Sequence, residues 1–256
     1  MMAIKSYEWR SEFMLSEKIF DSFKKIGLLD DLNRSIEHLL KHDDHFISKT
    51  ILPKEKPVSM IGIRGMHLLQ SSLYRSKVLT KGFISSLNDN NPLSSNLNVR
   101  AHLETTGLVG YMYKKLNSYY KGNIDLDNLN NSLYKLNLGV KTPGRIGDAP
   151  DPINVMTMID ESNAMFRKLS GNKEIDFRMV YDELSEFCHP NSFGLIGSHD
   201  IIEGNVVVYK SGNEFDVMNF VQPHRALLIS SNLFELFYTN SFDLLQQNEQ
   251  LPTLEK

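Results

Sequence analysis

The stretch Tyr181-Asp-Glu-Leu-Ser-Glu-Phe-Cys-His-Pro-Asn191 decides how this 256-residue chain is read. With Ile175, Phe177 and Val180 just upstream, its apolar residues Tyr181, Leu184, Phe187 and Cys188 recur at three- and four-residue steps. That is the spacing of one buried helix face. Pro190 lacks the N–H needed to continue a helix and ends it. Arg178, Asp182, Ser185 and His189 form a second stripe, with Glu186 beside it. An imidazole titrates near neutral pH, and a carboxylate one turn away fixes its tautomer, so this stripe is the candidate chemistry. The competing reading is a solvated helix face on which His189 caps the helix end or pairs with a carboxylate.

Working outward, the same periodicity predicts a mainly α, multi-helix bundle-like domain. Helical spacing runs from Ser11 to Leu40 with a break at Gly27, from Ser59 to Leu87 (including Val78), from Asn98 to Tyr120 and from Leu126 to Leu138. Gly139 to Pro150 reads as a long loop. Asp151-Pro152 has the form of an N-cap followed by proline at the first helical position, opening a helix through Val155, Ile159, Met165 and Phe166. A small β-hairpin is expected near residues 205–218, pairing Val206–Tyr209 with Phe215–Met218 around Lys210–Glu214. Pro223 should precede a last helix through Ala226, Ile229, Leu233, Leu236 and Phe237, and the tail after Gln247 should fray. No repeat and no polar linker divides the chain, so 1–256 reads as one domain, with the helices of 1–52 as a candidate appended subdomain.

A hydrophobic content of 41% and a charged content of 23% are ordinary for a globular domain. Cys188 is the one cysteine, which excludes an intrachain disulfide and a multi-cysteine zinc site and favours a reducing compartment. The N-terminus soon becomes charged, unlike a signal peptide, and no stretch approaches the roughly 20 apolar residues of a membrane span. The expectation is a cytoplasmic protein without a membrane partner. A net charge of −3 argues against coating nucleic acid by bulk electrostatics. Lys114, Lys115 and Lys121 among Tyr111, Tyr113, Tyr119 and Tyr120 offer a local basic groove, but read better as an amphipathic helix with buried rings and a wet lysine face.

Other constellations carry less. Arg100 and Glu104 share a helix face at a four-residue step, with His102 turned away. If their helix packs on the 175–189 helix, Arg100, Glu104, Asp182, Glu186 and His189 join one polar cluster. Glu186 and His189 have the Glu-x-x-His spacing of di-iron bundles, but the second copy is missing. His38, His42 and His45 share a helix face at a spacing that can bind zinc, but read better as incidental imidazoles on a solvated helix, so no metal and no cofactor is assigned. His42-Asp43 and His199-Asp200 are bare His-Asp pairs without the further ligands of a phosphohydrolase. Cys188 beside His189 is a small buried thiol rather than a nucleophile with its base. The loop 139–150 lacks the ending of a phosphate-binding P-loop.

The order of these elements resembles the all-helical HEPN-like group of prokaryotic proteins. The likeness lies in Val99-Arg-Ala-His-Leu-Glu-Thr-Thr-Gly-Leu-Val-Gly-Tyr111 and in Tyr181–Asn191 with Gly194 after it, within roughly residues 60 to 195. Many HEPN proteins are metal-independent ribonucleases of toxin–antitoxin and antiviral defence systems. The resemblance therefore implies binding or cleavage of RNA in bacterial defence or stress. In that reading His189 is the acid/base group, Glu186 and Asp182 orient it, and Arg100 contacts phosphate, with Glu104, Ser185 and Asn191 completing the substrate site. The group's usual arginine, separated from the histidine by four to six intervening residues, is missing here. Residues 182–184 are Asp, Glu and Leu, Arg178 lies too far back, and Arg34–His38 and Arg64–His67 are spaced too closely. The alternative is a non-enzymatic helical protein–protein interaction module. Self-association through a long helix suits either.

Overall fold

Two helices of 29 residues each set the frame of the computed structural model, which describes residues 15–51, 59–142, 147–171, 174–195, 198–202, 206–209, 215–248 and 253–255. In chain order the helices are α1 (Glu17–Lys25), α2 (Leu29–Asp44), α3 (Met60–Asn88), α4 (Pro92–Tyr120), α5 (Leu126–Leu138), α6 (Val155–Ser170), α7 (Phe177–Cys188) and α8 (Met218–Gln247). Strand β1 (Lys49–Ile51) pairs antiparallel with β4 (Thr253–Glu255), and β2 (His199–Ile202) with β3 (Val206–Tyr209). The chain is a mainly α multi-helix domain. Among the described residues no helix is long and apolar enough to cross a membrane.

Helix α4 runs through the centre, against α8, α3 and α6 most extensively and against α5 and α7 as well. Its sequence explains how so many neighbours fit. Gly107 and Gly110 leave no side chain where α6 and α8 approach. A Cβ on Gly107 would lie 2.9 Å from Ile159 Cδ1, and one on Gly110 would lie 2.7 Å from Ser162 Cβ and 2.8 Å from Phe237 Cε2. Val99, Leu103, Val109, Met112 and Leu116 then fill the space around the axis, all fully buried. Leu32, Ile36 and Leu39 of α2 belong to the same buried cluster, so the N-terminal helices build the common core.

The breaks follow local chemistry. Gly27, at φ 73°, separates α1 from α2, in the left-handed region that glycine enters without a steric penalty. Asn91 caps α4 by accepting from Ser94 N, with Pro92 at its first position, so α4 starts six residues before the expected Asn98. The Asp151-Pro152 signal does not open α6. Asn154 does, accepting from Met156 N at 2.8 Å. Val78 is exposed rather than buried.

The hairpin lies earlier than expected. Val206–Tyr209 pairs with His199–Ile202, while Asp216 accepts from Met218 N and turns the chain into α8. An Asp side chain satisfying a helix-start N–H outweighs the β-propensity of Phe215–Met218. Residues 210–214, the expected loop, lie outside the described residues. Pro223 sits inside α8 rather than before it. Near the helix start it removes one backbone hydrogen bond of the second turn. The tail is not wholly frayed, because Leu254 pairs opposite Thr50.

Candidate functional site

Helix α7 is held by its cap and by its core face. Asp176 accepts from Arg178 N and Met179 N, and also binds Asn163 and Arg167 of α6. Phe177, Tyr181 and Leu184 are buried, and they lay α7 across α4. That crossing brings together Arg100, Glu104, Tyr181 and Cys188. Arg100 Nη2 donates to the Tyr181 hydroxyl at 3.3 Å, and the hydroxyl donates to Glu104 Oε1 at 3.1 Å. The guanidinium carbon stands 5.6 Å from the Tyr181 ring centre.

Burial opposes the charge of Arg100, but the Tyr181 hydroxyl and Glu104 outweigh it and raise its pKa. Burial raises the pKa of the Tyr181 hydroxyl and of the Cys188 thiol, the latter against the pull of Arg100. Arg100 Nε is 3.4 Å from Glu104 Oε1 but is not aligned as a hydrogen bond, and Ser185 Oγ is likewise buried without a partner among the described residues. Arg100 Nε thus keeps only the unaligned ion pair with Glu104, and Ser185 Oγ has no hydrogen-bond partner among the described residues. A buried polar atom left unsatisfied carries a desolvation cost of about 1–3 kcal/mol.

The remaining expected residues stand apart from this group. Asp182 binds Arg178 Nε at 2.7 Å, and Arg178 reaches Asp160 of α6 at 2.6 Å. Glu186 accepts from Asn191 Nδ2 at 2.8 Å, while Asn191 Oδ1 accepts from Gly194 N and closes the turn after α7. His189, the residue following α7, is exposed, and no hydrogen bond or ion pair joins it to Arg100, Asp182 or Glu186 among the described residues. The Pro190-Asn191 segment bends away from the helix: His189 has an extended backbone, φ −91° and ψ 149°.

A second constellation lies in the core, where residue spacing carries less signal. His42 Nδ1 meets the His38 carbonyl at 2.5 Å, and His42 Nε2 meets Ser76 Oγ at 2.8 Å. Ser76 Oγ is 2.7 Å from His102 Nε2, His102 Nδ1 is 2.7 Å from Ser230 Oγ, and Ser230 Oγ is 2.8 Å from Thr106 Oγ1. The carbonyl end sets the ring and serine protons. A carbonyl only accepts, so His42 Nδ1 donates and, in the neutral ring, Nε2 accepts from Ser76. Ser76 must then accept from His102 Nε2–H, leaving His102 Nδ1 to accept from Ser230, and the single Thr106 hydroxyl proton faces both the Ser230 hydroxyl oxygen and the Ser230 carbonyl. The chain has one direction and crosses α4, α8, α3 and α2.

Its imidazoles are neutral. Burial lowers the pKa of His102 to about 3 and that of His42 below its ordinary value. His42 is therefore not an incidental imidazole on a solvated face, as its spacing with His38 and His45 had suggested. Ser76, Ser230 and Thr106 gave one usable signal: each is a small polar residue at a core-facing position of a helix.

No family model, curated protein or solved structure matches this chain.

Proposed function

We propose that the chain is a HEPN-like helical protein that binds RNA, with Arg100 as the phosphate contact at the α4–α7 crossing. The observation that supports this reading is the state of Arg100. Its side chain is 26% exposed and anchored by Tyr181 and Glu104, with the buried Nε turned toward Glu104. A planar guanidinium held in this way keeps donors for a phosphate oxygen while its stem is fixed. Binding is favoured over cleavage, because His189 is not joined to the carboxylates that would orient it.

Fluorescence anisotropy with a labelled single-stranded RNA tests this reading. Arg100→Ala should weaken binding about tenfold and reduce the dependence on salt by about one phosphate contact. Wild-type protein that ignores RNA at low salt sinks the proposal.

A second reading, the interaction module, draws on a different observation. The four residues of β3, Val206 to Tyr209, are all exposed, as are Phe193 and Leu195 nearby in sequence. Exposed apolar strands of this kind attract partners. In that case Arg100→Ala lowers stability without any RNA phenotype.

A further inference from the structure

We propose that the outward face of the α3–α4 pair is a docking site for a partner protein's amphipathic helix with acidic flanks. The face is separate from the β2–β3 hairpin, and the inference does not depend on the RNA reading.

Two contacts fix how α3 and α4 lie side by side. Arg75 Nε donates to Thr105 Oγ1 at 3.0 Å. Gly82 leaves the space that Asn98 fills, with Asn98 Oδ1 2.5 Å from where a Cβ would stand. The helices are therefore antiparallel, and Val78 falls between these contacts, near the level of Ala101. The buried sides of both helices meet at Ser76 and His102, so their exposed sides share the opposite face. On α3 Tyr74 and Val78 are one turn apart, and on α4 so are Leu93 and Leu97. Tyr74 is 69% exposed, and the other three are each close to half exposed. In this register they follow one another as Tyr74, Val78, Leu97 and Leu93, a diagonal apolar stripe about 20 Å long at roughly 1.5 Å per residue. A helix with anchors at three- and four-residue steps covers such a stripe in about four turns.

The charges choose the partner. Helix α3 carries Arg64, Arg75, Lys77 and Lys81 and no acidic residue, in a chain of net charge −3. Arg75 bridges the two helices, and its terminal nitrogens bond to no described residue. Lys81 is exposed one turn beyond Val78. Acidic side chains on the flanks of a docked helix meet these cations. A second copy of this chain fits poorly, because a twofold pairing of the face brings both sets of Arg75 and Lys81 together. Single-stranded RNA fits the cations but not the stripe, in which Tyr74 is the one ring on which a base can stack.

The probe is a fluorescein-labelled, stapled helical peptide of about four turns, with leucines along one face and glutamates elsewhere. Anisotropy should show it binding the full chain. The amides of Gly82 and Ala101 should shift in the NMR spectrum, while that of Met179, exposed on α7, should not. Val78→Ser combined with Leu97→Ser removes apolar surface without adding charge, and should weaken binding at least tenfold. Arg75→Gln should weaken it about threefold, as expected of a solvent-exposed ion pair. Lysines in place of the peptide's glutamates should weaken it at least tenfold. The wild-type amide shifts decide the matter even where a variant fails to fold. No binding, shifts at Gly82 and Ala101 no larger than that at Met179, equal binding of the lysine peptide, or equal binding by the folded double variant overturns the proposal. So does a dimer of the free chain, seen by light scattering, that the double variant dissolves. Single-stranded RNA that displaces the peptide and binds the double variant as tightly as wild type also overturns it.

Discussion

At the scale of single residues, the Tyr181 hydroxyl is the joint of the α4–α7 crossing. It accepts from Arg100 and donates to Glu104, so one oxygen serves two charged groups. Tyr181→Phe keeps the buried ring and removes only this joint. The expected loss is about 1–2 kcal/mol of unfolding free energy, typical of a hydrogen bond to charged partners that are themselves partly exposed. Urea denaturation of the two proteins checks it, and an unchanged midpoint would show that Arg100 and Glu104 pair equally well without the hydroxyl. Arg100 and Glu104 were readable in the sequence because a four-residue step defines a helix face in advance. The role of Tyr181 was only half readable. Periodicity placed its ring in the core, but nothing in the sequence placed its oxygen beside another helix.

Elements were more legible than their ends. Apolar periodicity locates every long helix because it reflects burial, which averages over many residues. The start of α6 and the hairpin were displaced because single side-chain caps decide them: Asn154 rather than Asp151, and Asp216 against a strand. The β2 segment His199–Ile202 is four residues long, too short for alternation to stand out. Close helix approach is also an element-scale property, and Gly110 sets it. Gly110→Ala forces a methyl group against Ser162 and Phe237. It should cost about 1–3 kcal/mol, as overpacking does. Thermal unfolding measures the cost, and a rise in midpoint from the higher helix propensity of alanine would show that α6 or α8 moves freely.

For the whole molecule, the neutral core histidines couple folding to acid. His102 titrates near 3 and His224 near 4, and His42 is also lowered, each chiefly through burial. In the unfolded chain an imidazole takes its proton near pH 6.5. Between that pH and the lowered folded values the unfolded state binds more protons, so stability rises with pH. The contribution is complete above about pH 6.5 and is lost as the pH falls toward 3, with a slope of up to about 1.4 kcal/mol per pH unit for each histidine. Denaturation midpoints measured from pH 7.5 to 4 should fall accordingly, and His102→Gln should flatten the curve. A curve for the wild type that is level from pH 6.5 to 4.5 would mean that the rings are hydrated.

The directed chain from Thr106 to the His38 carbonyl has a consequence for observation as well as for stability. Its hydroxyl and ring protons are enclosed by four helices, whereas such protons on a surface trade with water too fast to be seen. Here they exchange only when the helices part. The Ser76 and Ser230 hydroxyl resonances therefore serve as a native clock for core opening, one that needs no label.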